Sequence, residues 1–351
     1  MTTIVEYLIN SIIKHKDNVF ICGAGGGSDI YMAFVLNQII SKQFNDDRKF
    51  FYGTCRHGAT KKEMNRLQIE YGEINENPDL TSGIFVTTQH NQLIPEKLVE
   101  IAEKNRDPTH KGVSMEEHCV GSAYIIVYPR NECNPIDPQD LGSNKLINQM
   151  KEFYIKNNIH HIYLIDTGGD ILGIGTKEKQ NIHAIESDIK AQVLNKRVAE
   201  ELQSTGYNLT LETIIIAPCI DGQTSPDIMQ QNLIDRSKEN PKLIEQINIG
   251  DDFIKSLNDF TQGQDETRTS RILIAAAQTS GVELGVKPLY LEQASNSVKT
   301  RLRHDAPGQK IPLNLVLSSL IVKPEYFESV KNYGIHPNNM KIIRSGCVLN
   351  I

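Results

Sequence analysis

Three loops that follow strand-like runs of this chain combine aspartates with glycines, and the pairing suggests the binding of a metal ion or a phosphate. In the first, "VFICGAGGGSDIYMAF" (Val19 to Phe34), Gly23, Gly25, Gly26 and Gly27 precede Ser28 and Asp29. Glycines between a strand and a helix let the backbone approach a ligand and expose consecutive N–H groups. The helix N-terminus adds partial positive charge, so the loop favours an anion such as phosphate. The dinucleotide fingerprint G-x-G-x-x-G is met only in part, because Ser28 stands at its third glycine. No Gly-Lys-Ser/Thr follows, which excludes a Walker A loop. Asp29 would repel a phosphate unless it caps the helix, holds a substrate hydroxyl or shares a metal ion.

The second place is "YLIDTGGDILGIG", where Asp166, Thr167, Gly168, Gly169 and Asp170 follow a run of strand-forming residues. Two carboxylates four residues apart around a Gly-Gly turn suit Mg²⁺ coordination, directly or through water. An Asx-turn is the structural alternative for either aspartate alone. In the third, "CIDGQTSPD", Asp221 and Gly222 again close a strand. Glu178, Glu186, Ser187 and Asp188 lie before and at the next expected helix start, with Ser187 as its expected cap. The expected site therefore has Asp29, Asp166 and Asp170 as catalytic and metal-binding acids. The loop Gly23 to Ser28, with Thr167, Gly168, Gly169, Ser187, Asp188 and Asp221, is expected to hold the ligand.

These loops must be positioned by strands and helices, and the sequence supplies both. Unbroken apolar, β-branched runs recur at "VFICG", "KFFYGT", "GIFVTT", "AYIIVYP", "HIYLID" and "TIIIAPC", as suits strands buried on both faces of a parallel sheet. Helix patterns alternate with them at "SDIYMAFVLNQIISKQF", "IPEKLVEIAEKN", "NKLINQMKEFYIKNN" and "SDIKAQVLNKRVAEELQST". Alternation predicts an α/β fold: a doubly wound, mostly parallel, Rossmann-like three-layer sheet whose ligands bind beyond the strand ends. Residues 1–351 read as one α/β domain, with 225–351 an embedded C-terminal region of helical and mixed character. Within it "SPDIMQQNLIDRSKENPKLIEQI" reads as helical, and Ile311 to Val322 as a strand pair or a helix.

"GAGGGSDI", "LIDTGGDILGIG" with Ser187-Asp188, "CIDGQTSPD" and "TRTSRILIAA" around Arg271 occur in an order that resembles the domain of unknown function 1152 family of archaea and bacteria. The resemblance spans Val19 to Phe327. It implies an α/β fold and family-like acids at Asp29, Asp166, Asp170, Asp188 and Asp221, and it carries no activity. The chain departs from that family after the second strand, where "YGTCRHGATKKEM" replaces a Trp-Glu-Arg segment. A weaker similarity links "TGGD" to the Gly-Gly-Asp loops of phosphofructokinase-like and NAD-kinase-like enzymes, but Ile171 stands where those carry a further glycine.

Other reactive residues have weaker patterns. Arg56 and His57 could contact an anion or move a proton, and Cys55 lacks the C-x5-R partner of a phosphatase, since Lys61 stands there. His160, His161 and the histidine of "MEEHC" lack H-E-x-x-H spacing and read as surface or strand-edge residues. His90 suits a substrate contact or a turn, and Cys219 has no visible histidine partner. Arg268, Arg271, Arg301 and Arg303 could supply anion contacts from the C-terminal part, with solvated surface arginines as the default reading. Cysteines are scattered without zinc spacing, which points to reduced thiols and a cytoplasmic setting. A net charge of −6 disfavours a nucleic-acid partner, and no apolar run is long enough to span a membrane. The N-terminal residues read as an amphipathic helix packed on the body, and an oligomer is left open.

Together these features predict a Mg²⁺-assisted hydrolase or group-transfer enzyme acting on a nucleotide or phosphorylated small molecule. The alternatives are a nucleotide- or metabolite-binding sensor without turnover, and a redox enzyme with an unusual dinucleotide site.

Overall fold

A computed structural model describes residues 2–25, 28–57, 67–69, 82–87, 123–128, 143–172, 182–222, 224–240, 242–261, 269–284, 293–294, 297–299, 310–329, 343–344 and 347–348. The chain begins with helix α1 (Ile4–Ile12), started by a reciprocal cap: the Glu6 N–H donates to the Thr3 hydroxyl and the Thr3 N–H to the Glu6 carboxylate, at 3.2 and 2.8 Å. Ile4, Leu8 and Ile12 fall on one face at helical spacing and are buried. This is the amphipathic helix expected from the sequence.

In chain order there follow β1 (Asn18–Gly23), α2 (Ser28–Ser41), β2 (Phe50–His57), β3 (Leu67–Ile69), β4 (Gly83–Thr87) and β5 (Tyr124–Tyr128). Next come α3 (Ser143–Lys156), β6 (Ile159–Thr167), α4 (Ile182–Ser204), β7 (Thr210–Ile216), α5 (Pro226–Glu239), β8 (Ile244–Asn248), α6 (Asp251–Thr261) and α7 (Thr269–Thr279). The remainder holds β9 (Gln293–Ala294), β10 (Ser297–Lys299), β11 (Lys310–Pro312), α8 (Leu313–Val316), β12 (Ser318–Val322), α9 (Pro324–Ser329), β13 (Ile343–Arg344) and β14 (Cys347–Val348).

Nine strands form one mixed sheet in the order β3-β4-β5-β2-β1-β6-β7-β12-β8. The five central strands, β5-β2-β1-β6-β7, are mutually parallel. β4 runs antiparallel to β5, β3 to β4, and β12 to both β7 and β8. This is the mostly parallel α/β arrangement read from the alternation of patterns, with antiparallel strands added at both edges. The chain moves outward from β1 to β2 on one side and places β6 and β7 on the other, so the strand order reverses between β1 and β6.

Register assigns the two faces. Phe20, Phe51 and Tyr124 share one face, where Phe153 of α3 meets them edge-on or tilted at centroid distances of 5.7, 6.3 and 4.8 Å. α4 joins this layer through the Tyr154 hydroxyl, which donates to Asn195 at 2.8 Å. Tyr52, Ile125 and Val127 face the other way, onto Ile30, Tyr31 and Phe34 of α2 and Phe260 of α6.

Several expectations are corrected. "KLIEQI" is not the end of a helix: β8 begins at Ile244 and lies at the sheet edge, because Leu320 and its neighbours on β12 satisfy its backbone. Ile311 to Val322 resolves into β11, the short α8 and β12, and the two strands belong to different sheets. α4 starts at Ile182, so Ser187 is inside the helix and is not its cap. The expected helix at "IPEKLVEIAEKN" lies outside the described residues. No helix among the described residues is long and apolar enough to cross a membrane.

Phe153 is fully buried between two layers. Phe153→Ala is expected to cost about 3–5 kcal/mol in denaturant-induced unfolding through transfer and cavity terms; a loss below about 1 kcal/mol would contradict the packing described.

Candidate metal centre

Beyond the carboxyl ends of β1, β6 and β7, five aspartates meet. Asp29, Asp166, Asp170, Asp188 and Asp221 are each no more than 7% exposed. They arrive from different layers: Asp29 from the first turn of α2, Asp166 from the sheet, Asp170 from the 3₁₀ turn Asp170–Leu172, Asp188 from α4, and Asp221 from the loop after β7. The convergence of three acid-plus-glycine loops expected from the sequence is what the geometry gives.

Within the cluster, carboxylate oxygens of Asp29, Asp166 and Asp188 all lie within 4.8 Å of one another. Asp170 adjoins this trio, and its charge is among the causes that push Asp29, Asp166 and Asp188 upward. The sequence assigned Asp170 to the metal and Asp188 to the ligand; in the fold it is Asp188 that completes the close trio. Asp188 lies inside α4, which already begins at Ile182, and not at the helix start that its Ser-Asp pair suggested.

Asp29 does not cap its own helix. Its Oδ1 accepts the Thr167 N–H at 2.9 Å, so the carboxylate ties α2 to the end of β6. A second tie crosses the same gap, where the Ala24 N–H donates to the Ile165 carbonyl at 2.7 Å. Asp166 Oδ2 accepts the Ile171 N–H at 3.3 Å, while its Oδ1 and the Thr167 hydroxyl are buried with no hydrogen-bond partner among the described residues. Buried carboxylate oxygens in that condition suit coordination to a cation.

The glycines are explained by the same crowding. A Cβ on Gly25 would collide with the carboxylates of Asp188 and Asp29, and one on Gly168 would overlap Asp221. Gly168 also sits at φ +118°, a conformation other residues rarely adopt. Gly169 follows at φ +101°. Gly23 ends β1, Ser28 is the half-buried first residue of α2, and Gly26 and Gly27 lie outside the described residues.

Thr54 of β2, paired with Gly23 at the end of β1, was missed by the sequence reading. Its buried hydroxyl donates to the carbonyls of Gly23 and Gly25 and so pins the glycine loop against the sheet. The only signal was a lone threonine following "YG". The loop after β7 is held as well: the Cys219 N–H donates to the Gly168 carbonyl at 2.6 Å and the Ala217 N–H to the Ser318 carbonyl at 3.1 Å. Ala217 and Cys219 carry positive φ of 51° and 70°, strain of the kind that persists where surrounding bonds impose it.

Other candidates separate from the site. Cys55 is buried on the α3 face, and burial raises the thiol pKa of both Cys55 and Cys219, which removes the thiolate-nucleophile reading. Arg271 is buried and donates to Asn258 at 3.3 Å, correcting its reading as a solvated arginine. His161 is buried on a central strand and not at an edge. Arg56 is half-buried on β2, and His90, Arg268, Arg301 and Arg303 lie outside the described residues.

Burial, and then the neighbouring aspartates, push Asp29, Asp166 and Asp188 well above the usual carboxylate range. At about 4 Å two like charges cost on the order of 4 kcal/mol at an effective dielectric of about 20. Without a cation, therefore, the cluster retains protons. No protein-family model, curated protein or solved structure matches this chain.

Because these carboxyls bind protons more tightly folded than unfolded, they favour the metal-free fold at acid pH. That contribution is lost as pH rises from the usual carboxylate range through their raised values. Urea midpoints of metal-free protein should accordingly fall more steeply between about pH 5 and 8 for the wild type than for Asp166→Asn; superimposable profiles would contradict the assignment. Thr54→Val, which keeps the shape and removes the donor, should cost about 1–2 kcal/mol by the same measurement.

Proposed function

We propose that this protein is a divalent-cation-dependent enzyme that hydrolyses, or transfers a group from, a nucleotide or other phosphorylated small molecule. The observation that carries the reading is the trio of buried carboxylates within 4.8 Å at the strand ends. Three hard oxygen donors suit Mg²⁺, which keeps several waters and leaves positions for a phosphate oxygen. When bound, such an ion stabilises developing negative charge and lowers the pKa of a coordinated water.

Each residue has a role in this reading. Asp29, Asp166 and Asp188 hold the cation, with Asp29 also fixing the end of β6. Asp170, adjacent to Asp188, is the group able to take or return a proton. Asp221 borders the cluster opposite Gly168 and orients either the ion or a substrate hydroxyl. The loop Gly23 to Ser28 and the α2 N-terminus receive phosphate, whose charge the cation and not a lysine offsets.

The fold supports the same location. In a doubly wound, Rossmann-like sheet, ligands bind where strand order reverses, and that reversal falls between β1 and β6, where Asp29 and Asp166 meet. Membership of the domain of unknown function 1152 family remains part of the proposal, carried by the residues quoted above.

The test is thermal unfolding and product analysis with Mg²⁺ or Mn²⁺, alone and with nucleotides or sugar phosphates. Cation should raise the melting temperature of the wild type at neutral pH, and a phosphorylated ligand should raise it further. Asp166→Asn and Asp188→Asn should abolish the cation effect and reduce turnover by about 10²-fold or more. A melting temperature indifferent to every cation and phosphate would contradict the proposal.

A further inference from the structure

At the opposite end of β6 a second group of donors is assembled, sharing no residue with the aspartate cluster. His161 is the third residue of β6 and Asp166 the eighth, so about 16 Å of strand separates them. His161 faces His15 and Asp17, both from the turn between α1 and β1, and one donor atom from each of the three lies within 4.8 Å of the others. The imidazole rings of His15 and His161 are 4.1 Å apart between centroids, tilted by 35°. His161 Nε2 stands 3.8 Å from Asp17 Oδ2, beyond hydrogen-bond length.

We propose that His15, Asp17 and His161 form a transition-metal site of the Zn²⁺ class, independent of the catalytic reading above. Two imidazoles and one carboxylate are the donor set that Zn²⁺ and its first-row neighbours accept, whereas Mg²⁺ prefers oxygen alone. Ligand bonds of 2.0–2.2 Å in a tetrahedron separate donors by about 3.4 Å. The donor atoms, already within 4.8 Å of one another, stand close to that spacing.

The backbone around the group is held in place. Asn18, next to Asp17, donates from its side chain to the Asn157 carbonyl and accepts the Lys49 N–H, each at 2.7 Å. Arg48 donates to the Ile12 carbonyl at 2.8 Å and pairs with Asp46 at 2.9 Å. The pairing of β1 with β6 slips between Asn18 and Val19: Asn18 partners Ile159 and Val19 partners His161, leaving His160 as the extra residue. Irregularities of this kind re-aim a side chain, and here the one that follows is His161.

Solvent reaches the group from one side. His161 is buried, Asp17 is partly exposed and His15 is exposed, so a fourth position stays open to water or an exogenous ligand. Lys14 and Lys16 flank His15 in the chain, and the Arg48 guanidinium lies near enough to His161 to act on its charge. Lys14 and Lys16 are exposed and free to point into solvent, and Arg48 is committed to Asp46 and Ile12. A bound ion would cross-link the α1–β1 turn to a central strand.

The test is Zn²⁺ titration against a chromophoric chelator in excess Mg²⁺, added to compete for oxygen-only donors, together with the visible spectrum of the Co²⁺ form. Wild type should take up a single equivalent and show the intense d–d bands of a nitrogen-ligated, four-coordinate Co²⁺ ion. His15→Ala, at an exposed position, and Asp17→Asn should each weaken binding at least about tenfold while leaving the far-ultraviolet circular dichroism unchanged. No uptake by folded wild type would overturn the proposal. So would binding that survives His15→Ala and Asp17→Asn but is lost in Asp188→Asn, because the ion would then belong to the aspartate cluster.

Discussion

Like charges confined in a space with little water are the constraint on which the rest of this structure depends. Five aspartates are buried at the ends of three parallel strands, and no arrangement of their backbone alone makes that favourable. Each surrounding feature makes room for them or holds them. Gly25 and Gly168 lack side chains where any Cβ would meet a carboxylate, Asp29 is fixed by the Thr167 N–H, and Thr54 clamps the glycine loop. The strained backbone at Ala217 and Cys219 is imposed by bonds to Ser318 and Gly168. The proposed cation removes the repulsion that the fold otherwise manages by retaining protons.

Layering is what lets the acids meet. Asp29 comes from a helix on one face, Asp188 from a helix on the other, and Asp166 from the sheet between them, so the cluster exists only when both helical layers are docked. The C-terminal third takes part in this support: β12 pairs with β7, and its Ser318 carbonyl holds the loop that carries Asp221. The same strand that presents Asp166 at one end presents His161 at the other, so the two donor groups use opposite ends of one rigid element.

Much of this was legible from the sequence because buried strands are written as unbroken β-branched runs: all six such runs are strands, although "GIFVTT" is β4, which runs antiparallel to β5 instead of joining the parallel set. Asp29, Asp166, Asp170 and Asp221 were readable because strand ends pair acids with glycines, and Asp188 from its Ser-Asp pair at an expected helix start. What escaped depends on contacts distant in sequence. "KLIEQI" is apolar at a spacing that serves helix or strand, and only its pairing with β12, some seventy residues on, decides between them. Asp188 looked like a helix start because Ser187 is a good cap, yet the helix already extends back to Ile182. Thr54, the burial of Arg271 against Asn258 and the re-aiming of His161 by a strand irregularity leave no local pattern at all.

The most direct measurement is anomalous diffraction from crystals soaked in Mn²⁺, which stands in for Mg²⁺ at oxygen ligands. The account predicts an anomalous peak among the Asp29, Asp166 and Asp188 carboxylates, with Asp166 Oδ1 among the coordinating atoms. A cluster that stays free of metal at saturating Mn²⁺, its carboxyls paired through shared protons, would contradict it.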